Sequence, residues 1–208
     1  ELCVAINGAG AAGIAIAKSL LRFGVKDVVV CDSKGIIRAG DPRLNDSKRE
    51  LAEISNKRRL TGTLADAMKG ADVFVGVSVA NCVTKDMVRS MADKAIVFTC
   101  ANPVPEILPE DALAAGAAVV GTGASQYPNQ INNVLVFPGL FRGALDVRAS
   151  DINTEMMMAA ARGIASCVSD EELTPEYILP YAYNLNARKT VAAAVSEAAR
   201  VTGAAKSK

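Results

Sequence analysis

The run Gly8-Ala9-Gly10-Ala11-Ala12-Gly13 restricts the fold of this chain more than any other stretch. It follows a short apolar segment, residues 2–7. It opens residues 11–23, where Ile14, Ala17, Leu20 and Leu21 share one helical face and Gly24 acts as the stop. Each glycine in such a strand-to-helix turn answers a backbone need. The first permits a tight turn, the second clears space for close approach to the backbone, and the third lets the helix pack on the strand. Val28-Val29-Val30-Cys31-Asp32 reads as a second strand, rich in β-branched residues. Together these segments make a βαβ unit of about 30 residues.

The alternation continues along the chain. Residues 33–46 read as a loop containing Gly35, Gly40 and Pro42, and helical spacing returns at 47–56 and 63–69. Residues 72–79 and 95–100 read as strands on either side of a helix at 84–91. A helix at 105–115 and a short strand at 118–121 follow. After Pro138 the pattern turns helical, with long helices at 152–167 and 187–201. This order predicts an α/β fold, Rossmann-like, with a doubly wound parallel sheet and additional C-terminal helices, as one domain over residues 1–208. Met156, Met157 and Met158 cannot share one helical face and are expected to pack beneath the sheet.

Composition agrees with a parallel sheet. Half of the residues are hydrophobic, yet only 4% are aromatic and Trp is absent, so the core is built from Ala, Val, Ile and Leu. The 23 basic and 22 acidic residues leave a net charge of +1, too weak a field to hold nucleic acid or an anionic membrane. Lys57-Arg58-Arg59 is expected to be the solvated end of a helix, with a phosphate patch as the alternative. Cys3, Cys31, Cys82, Cys100 and Cys167 are widely spaced without a Cys-x-x-Cys pair, which points to a reducing compartment. With no His, a Ser-His-Asp triad, a His base and a His zinc site are excluded. No apolar run reaches the roughly 18 to 20 residues of a membrane-spanning helix, and no signal peptide is evident. The chain enters a strand almost at Glu1, so it is expected to be a segment of something longer.

The glycine turn gains specificity from its surroundings. A strand precedes it, a helix follows it, and Asp32 closes the next strand. Backbone N–H groups at the start of the helix then face a dinucleotide diphosphate, and Asp32 accepts hydrogen bonds from the adenosine ribose. The expected cofactor set is Gly8, Ala9, Gly10, Ala11, Ala12, Gly13, Asp32 and Ser33. The carboxylate of Asp32 favours NAD over NADP, while Lys34, Arg38 and Lys48 are each candidates to pair with a 2′-phosphate.

Two amide groupings stand out further along. Asn102-Pro103 lies just past a strand's carboxyl end, where ligands bind in open parallel sheets. Asn102 is therefore either a ligand contact at the nicotinamide end or a turn initiator. Asn132-Asn133 enters an apolar run, where two amides need partners. They are either backbone braces or ligand contacts.

The stretches Tyr127-Pro128-Asn129-Gln130-Ile131-Asn132-Asn133-Val134 and Phe137-Pro138-Gly139-Leu140-Phe141-Arg142-Gly143-Ala144-Leu145-Asp146-Val147-Arg148 closely resemble malic enzymes of the bacterial type. Val30-Cys31-Asp32-Ser33-Lys34-Gly35 and Asn102-Pro103 fit the same family, and the resemblance covers nearly the whole chain. It implies the cofactor domain of an enzyme that oxidises L-malate with NAD or NADP and decarboxylates the product to pyruvate, using Mg²⁺ or Mn²⁺. It places Asn102 at the nicotinamide end, and Asn102 and Asn133 at the malate carboxylate, with Asn132 beside them. The family's catalytic Tyr and Lys and its metal-binding carboxylates belong to sequence before the glycine turn. No catalytic or metal residue is therefore assigned within this chain. Tyr127 is expected to be held in its loop by packing, and Asp146 and Asp151 are not read as metal ligands. The resemblance further implies a cytoplasmic homodimer or higher homo-oligomer.

The chain departs from the family pattern at residues 37–45, beside the adenosine site, and at residues 181–186. Two other readings stay open: the cofactor domain of an amino-acid dehydrogenase, and a non-catalytic module that senses NAD.

Overall fold

The alternating strands and helices assemble into one six-stranded sheet. In the computed structural model, which describes residues 2–206, the chain forms two compact units, Glu1–Tyr127 and Pro128–Lys208. The first contains β1 (Cys3–Asn7), α1 (Ala11–Arg22), β2 (Asp27–Asp32), β3 (Gly35–Ile36), α2 (Asp46–Ile54), α3 (Leu64–Met68), β4 (Val73–Gly76), α4 (Lys85–Arg89), β5 (Ile96–Thr99), α5 (Pro109–Ala114) and β6 (Val119–Thr122). The strand order is β3-β2-β1-β4-β5-β6. Every neighbouring pair is parallel except β2 and β3.

Both faces of the sheet are covered, as the apolar strands require. Ala5, Val29, Phe74, Val97 and Val120 pack with Met68, Val88 and Ala112 on one side. Val4, Ile6, Val28, Val30 and Val75 pack with Ala17 and Leu51 on the other. The expected doubly wound α/β fold is borne out. The order of strands reverses beside β1, so the crevice at the carboxyl ends of β1 and β4 is where such a sheet takes a ligand.

Three expectations need correction. The strand expected to reach residue 79 ends at Gly76; Val77 N–H still bonds Asn7 O, but Ser78 N–H is taken by the Glu106 side chain. The helix expected from residue 105 begins at Pro109, a residue suited to a first helical turn. Residues 105–108 form a loop instead. Within the expected loop 33–46, Gly35 and Ile36 pair back on Asp32 and Cys31.

The second unit holds a 3₁₀ turn at Asn133–Leu135, then α6 (Gly139–Asp146), α7 (Thr154–Ala165) and α8 (Leu185–Val201). Asparagines set two of the helix starts. Asn153 accepts the N–H of Met156 and Asn184 accepts those of Asn186 and Ala187. Helix α6 lies close to α8 because Gly139 and Gly143 lack side chains. A Cβ there would meet Arg188 O and Ala192 O respectively, besides Val191 and Val195. Ser196 Oγ donates to Gly143 O at 2.8 Å, completing that contact.

The expected packing of the methionines against the sheet gives way to packing within the second unit's own helices. Met156 is fully buried in the helical cluster with Leu140, Val191 and Val195, while Met157 is half exposed. The helices of this unit supply an apolar core of their own, so the single inward residue of the three is used there. Asp146 pairs with Arg142 one turn earlier, and Asp151 accepts the N–H of Ile152. Among the described residues, no helix is long and apolar enough to cross a membrane.

Candidate dinucleotide site

The glycine turn lies at the carboxyl end of β1, against the end of β4. Gly8 has φ +117°, a conformation that favours glycine, and a Cβ on it would meet Val77 O. A Cβ on Gly13 would overlap Gly8 O. These two glycines are therefore required by the protein's own packing. Gly10 is not. Its φ of −84° suits any residue, and a Cβ there would meet nothing within 4 Å. The space over Gly10 is open.

Helix α1 starts beside that space. Gly10 is its N-cap and provides no side-chain acceptor, and no acidic residue sits in the first turn. Its first intrahelical bond runs from Ile14 N–H to Gly10 O at 3.0 Å. The N–H groups of Ala11, Ala12 and Gly13 thus have no intrahelical acceptor, at the positive end of the helix dipole, and Gly13 is itself buried. Ala9 is buried, while Gly10, Ala11 and Ala12 are exposed. That is the arrangement an anionic diphosphate needs.

Asp32 ends β2, next to β1. Its Oδ1 accepts the N–H of Lys34 at 2.8 Å, and its Oδ2 accepts from Lys48 Nζ at 2.6 Å. Partial burial pushes this carboxyl up, but the bonds from Lys48 and Lys34 outweigh it and hold the group below its ordinary value. Close by, Arg43 is bonded to the buried Asp41. Asp32, Lys34, Asp41 and Arg43 line one small recess. Ser33 is exposed beside them.

The three cations considered for a 2′-phosphate are thereby separated. Lys48 is on Asp32. Arg38 lies with Lys57, Arg59 and Thr61 along a different cleft, of about 490 Å³. Lys34 is exposed and contributes its backbone N–H. In the basic run, Lys57 and Arg59 are solvated as expected, whereas Arg58 Nε bonds Asp27 at 2.6 Å. Arg43 and Asp41 were not read from the sequence, since neither belongs to a recognisable spacing.

Beyond β5, Asn102 is exposed, and its bond to Pro103 is cis. The loop it occupies is tied to the end of β4 by Glu106, a fully buried residue. The carboxylate of Glu106 accepts Ser78 N–H at 3.0 Å and Ala101 N–H at 3.1 Å. Sequence reading missed this residue and took it for part of a helix. Burial and the nearby Glu106 charge push the Cys100 thiol up to about 11. Burial, with Asp32 beside it, pushes Cys31 up to about 12. Neither thiol is a nucleophile near neutral pH.

In the second unit the two expected amides differ in role. Asn132 accepts Val134 N–H at 3.0 Å and caps the 3₁₀ turn, so it acts as a backbone brace. Asn133 is exposed and its side chain makes no hydrogen bond among the described residues. The buried Asn129 is a second brace, donating to Pro175 O at 2.8 Å and accepting Ile178 N–H at 2.9 Å. Tyr127, in the first unit, has a hydroxyl hydrogen-bonded to Glu110, which keeps its proton above the ordinary phenol value. That bond adds to the packing expected for its half-buried ring. No group of three or more His, Cys, Asp or Glu among the described residues is placed to hold a metal ion.

The sheet order, the glycine turn against β4, the open space over Gly10 and the acid closing β2 define a dinucleotide-binding domain of the doubly wound type. The chain belongs to the malic enzyme family: the model for "Malic enzyme, NAD binding domain" matches residues 1–200. It is 56% identical over 204 residues to the bifunctional malic/malolactic enzyme of Bacillus subtilis, covering 98% of this chain and 50% of that protein. It is 47% identical to the NAD-dependent malic enzyme of Geobacillus stearothermophilus, covering 99% and 43%. The malic enzyme structure from Pyrococcus horikoshii superposes with a TM-score of 0.95 at 42% identity, over 100% of this chain and 50% of that one. The chain thus spans about half the length of these three proteins and under a third of some longer relatives. Both NAD- and NADP-dependent malic enzymes occur among them.

Proposed function

We propose that this chain is the cofactor domain of a malate dehydrogenase (decarboxylating), which oxidises L-malate to pyruvate and CO₂ while reducing NAD(P). The observation that carries the reading is the open space over Gly10 beside the unpaired N–H groups of α1, with Asp32 closing the neighbouring strand. When bound, NAD(P) supplies the hydride acceptor, and Mg²⁺ or Mn²⁺ supplies the Lewis acid that polarises the ketone before CO₂ leaves.

The roles of this chain's residues follow from their chemistry. Ala11, Ala12 and Gly13 donate N–H groups to the diphosphate, with Gly8, Ala9 and Gly10 shaping the turn. Asp32 accepts from the adenosine ribose, and Ser33 lies beside it. Asn102 serves the nicotinamide end and contributes to the malate site. Asn133, with its free amide, contacts the malate carboxylate, and Asn132 holds Asn133 in place. Proton transfer and metal binding belong to residues outside this chain. NAD is the preferred cofactor, because the space at Asp32 is bordered by its carboxylate. Self-association is supported by an exposed apolar ridge that runs from Phe137 into α6, where Phe137 and Phe141 stack at 5.0 Å and Leu145 is 74% exposed. The reaction is placed in the cytoplasm.

Steady-state assay of the full-length protein with L-malate, Mn²⁺ and either NAD or NADP tests the proposal. Malate-dependent reduction of the cofactor with release of pyruvate is expected. Turnover of glutamate in place of malate would instead indicate an amino-acid dehydrogenase. Tight NAD binding with no turnover of either substrate would indicate a sensing module.

A further inference from the structure

Among the described residues of the first unit, Glu106 is the one fully buried acid, and the proposed cofactor contacts do not include it. Burying a carboxylate is unfavourable unless both oxygens are well bonded. Its two recorded partners are backbone N–H groups, one from each of two loops. Ser78 lies after β4, and Ala101 after β5. The same loops are joined by backbone bonds from Asn81 N–H to Pro105 O and from Val83 N–H to Glu106 O, each 3.0 Å. Gly76, the last residue of β4, makes room for this side chain, because a Cβ there would strike the Glu106 carboxylate.

The two loops border the candidate site. Val77, next to Ser78, is the residue against which Gly8 and Gly13 pack. Asn102 is next to Ala101. Glu106 therefore links the floor of the glycine turn to the segment carrying Asn102. A carboxylate suits the task because it is purely an acceptor and can serve both N–H groups. A glutamine would satisfy one of them and turn a donor toward the other.

We propose that Glu106 is a positioning residue for the nicotinamide half of the cofactor, holding the Asn102 loop at a fixed place relative to the glycine turn. This rests on the dinucleotide reading of the site. The adenosine half is held by Asp32 and α1, so loss of Glu106 acts on one end of the ligand.

The test uses the full-length protein and calorimetric titration of NAD⁺ and of ADP-ribose, which lacks the nicotinamide. Glu106→Gln is expected to weaken NAD⁺ roughly tenfold and ADP-ribose less than about threefold. In an Asn102→Ala background the same substitution should cost NAD⁺ binding less than about threefold, because Glu106 acts through Asn102. Gly76→Ala, which displaces the carboxylate but retains Glu106, should reproduce the NAD⁺ loss and serves if the first variant does not fold. Unchanged NAD⁺ affinity, parallel loss of both ligands, or an equal effect with and without Asn102 would each overturn the proposal. Failure of the unmodified protein to bind either ligand would overturn the cofactor reading itself, and this inference with it.

Discussion

The ammonium group of Lys48 lies 2.6 Å from Oδ2 of Asp32, and the N–H of Lys34 occupies Oδ1 at 2.8 Å. The acid proposed to read the ribose is therefore not a bare negative charge. Its partner is a cation on α2 of the kind that pairs with a 2′-phosphate, so on this proposal the acid and its lysine together set the preference between cofactors.

Replacing Lys48 by Met should leave NAD binding within about threefold and weaken NADP by at least roughly tenfold, about 1.4 kcal/mol. Replacing Asp32 by Ala should weaken NAD more than NADP. Parallel titrations of the two cofactors into each variant give the answer. Equal losses in Asp32→Ala would show that this acid does not read the ribose.

The glycines of the turn should separate into two kinds. Gly13→Ala places a Cβ on Gly8 O, and overpacking of this sort costs about 1–3 kcal/mol, so the melting temperature should fall by several degrees. Gly10→Val meets no protein atom within 4 Å of its Cβ, and it should abolish NAD binding while leaving melting nearly unchanged. Scanning calorimetry with and without NAD distinguishes them. A Gly10→Val protein that still binds NAD would remove the diphosphate from this turn.

Two kinds of group link stability to pH in opposite directions. The folded-state value of Asp32 is depressed, so its contribution is complete above the ordinary carboxylate range and is lost as the pH falls below about 4. Cys31 and Cys100 are raised to about 12 and about 11 from 9.0. Their contribution is complete below pH 9 and declines as the pH rises from there toward those values. Denaturant midpoints measured across alkaline pH should fall in the wild type, and the fall should be shallower in Cys31→Ala. An identical slope would mean that this thiol ionises as freely in the fold as outside it.

Asn129→Ala should destabilise the second unit, because it removes the side-chain partner of both the Pro175 carbonyl and the Ile178 N–H. Loss of each such bond costs about 0.5–1.5 kcal/mol. Hydrogen exchange at Ile178 should accelerate in this variant, and an unchanged rate would contradict the role of Asn129 as a brace.

What was legible in the sequence was local. The glycine turn, the apolar face of α1 and the β-branched run ending in Asp32 lie within one βαβ unit, and each is fixed by its own spacing. Glu106 was illegible for the opposite reason. Pro105-Glu106 resembles the first turn of a helix, while its role depends on Ser78, 28 residues earlier, and on the absence of a side chain at Gly76. Helix α6 falls where the pattern turns helical after Pro138, but its bounds were not legible, since Gly139 and Gly143 are poor helix formers and a Cβ at either would meet α8. Adjacent Asn132 and Asn133 could not be told apart by position. A single bond to Val134 makes one a cap and leaves the other amide free.

The two-residue strand β3 has a consequence for how this protein can change. Its bonds to β2, together with Ile37 N–H to Val30 O at 2.8 Å, anchor the start of the segment that carries Asp41 and Arg43. The buried side chains of Ile37 and Leu44 fasten it at both ends. A segment clamped in this way cannot absorb added or deleted residues without disturbing the strand that ends in Asp32. Divergence between NAD and NADP users on this scaffold should therefore proceed by exchange of side chains at constant loop length.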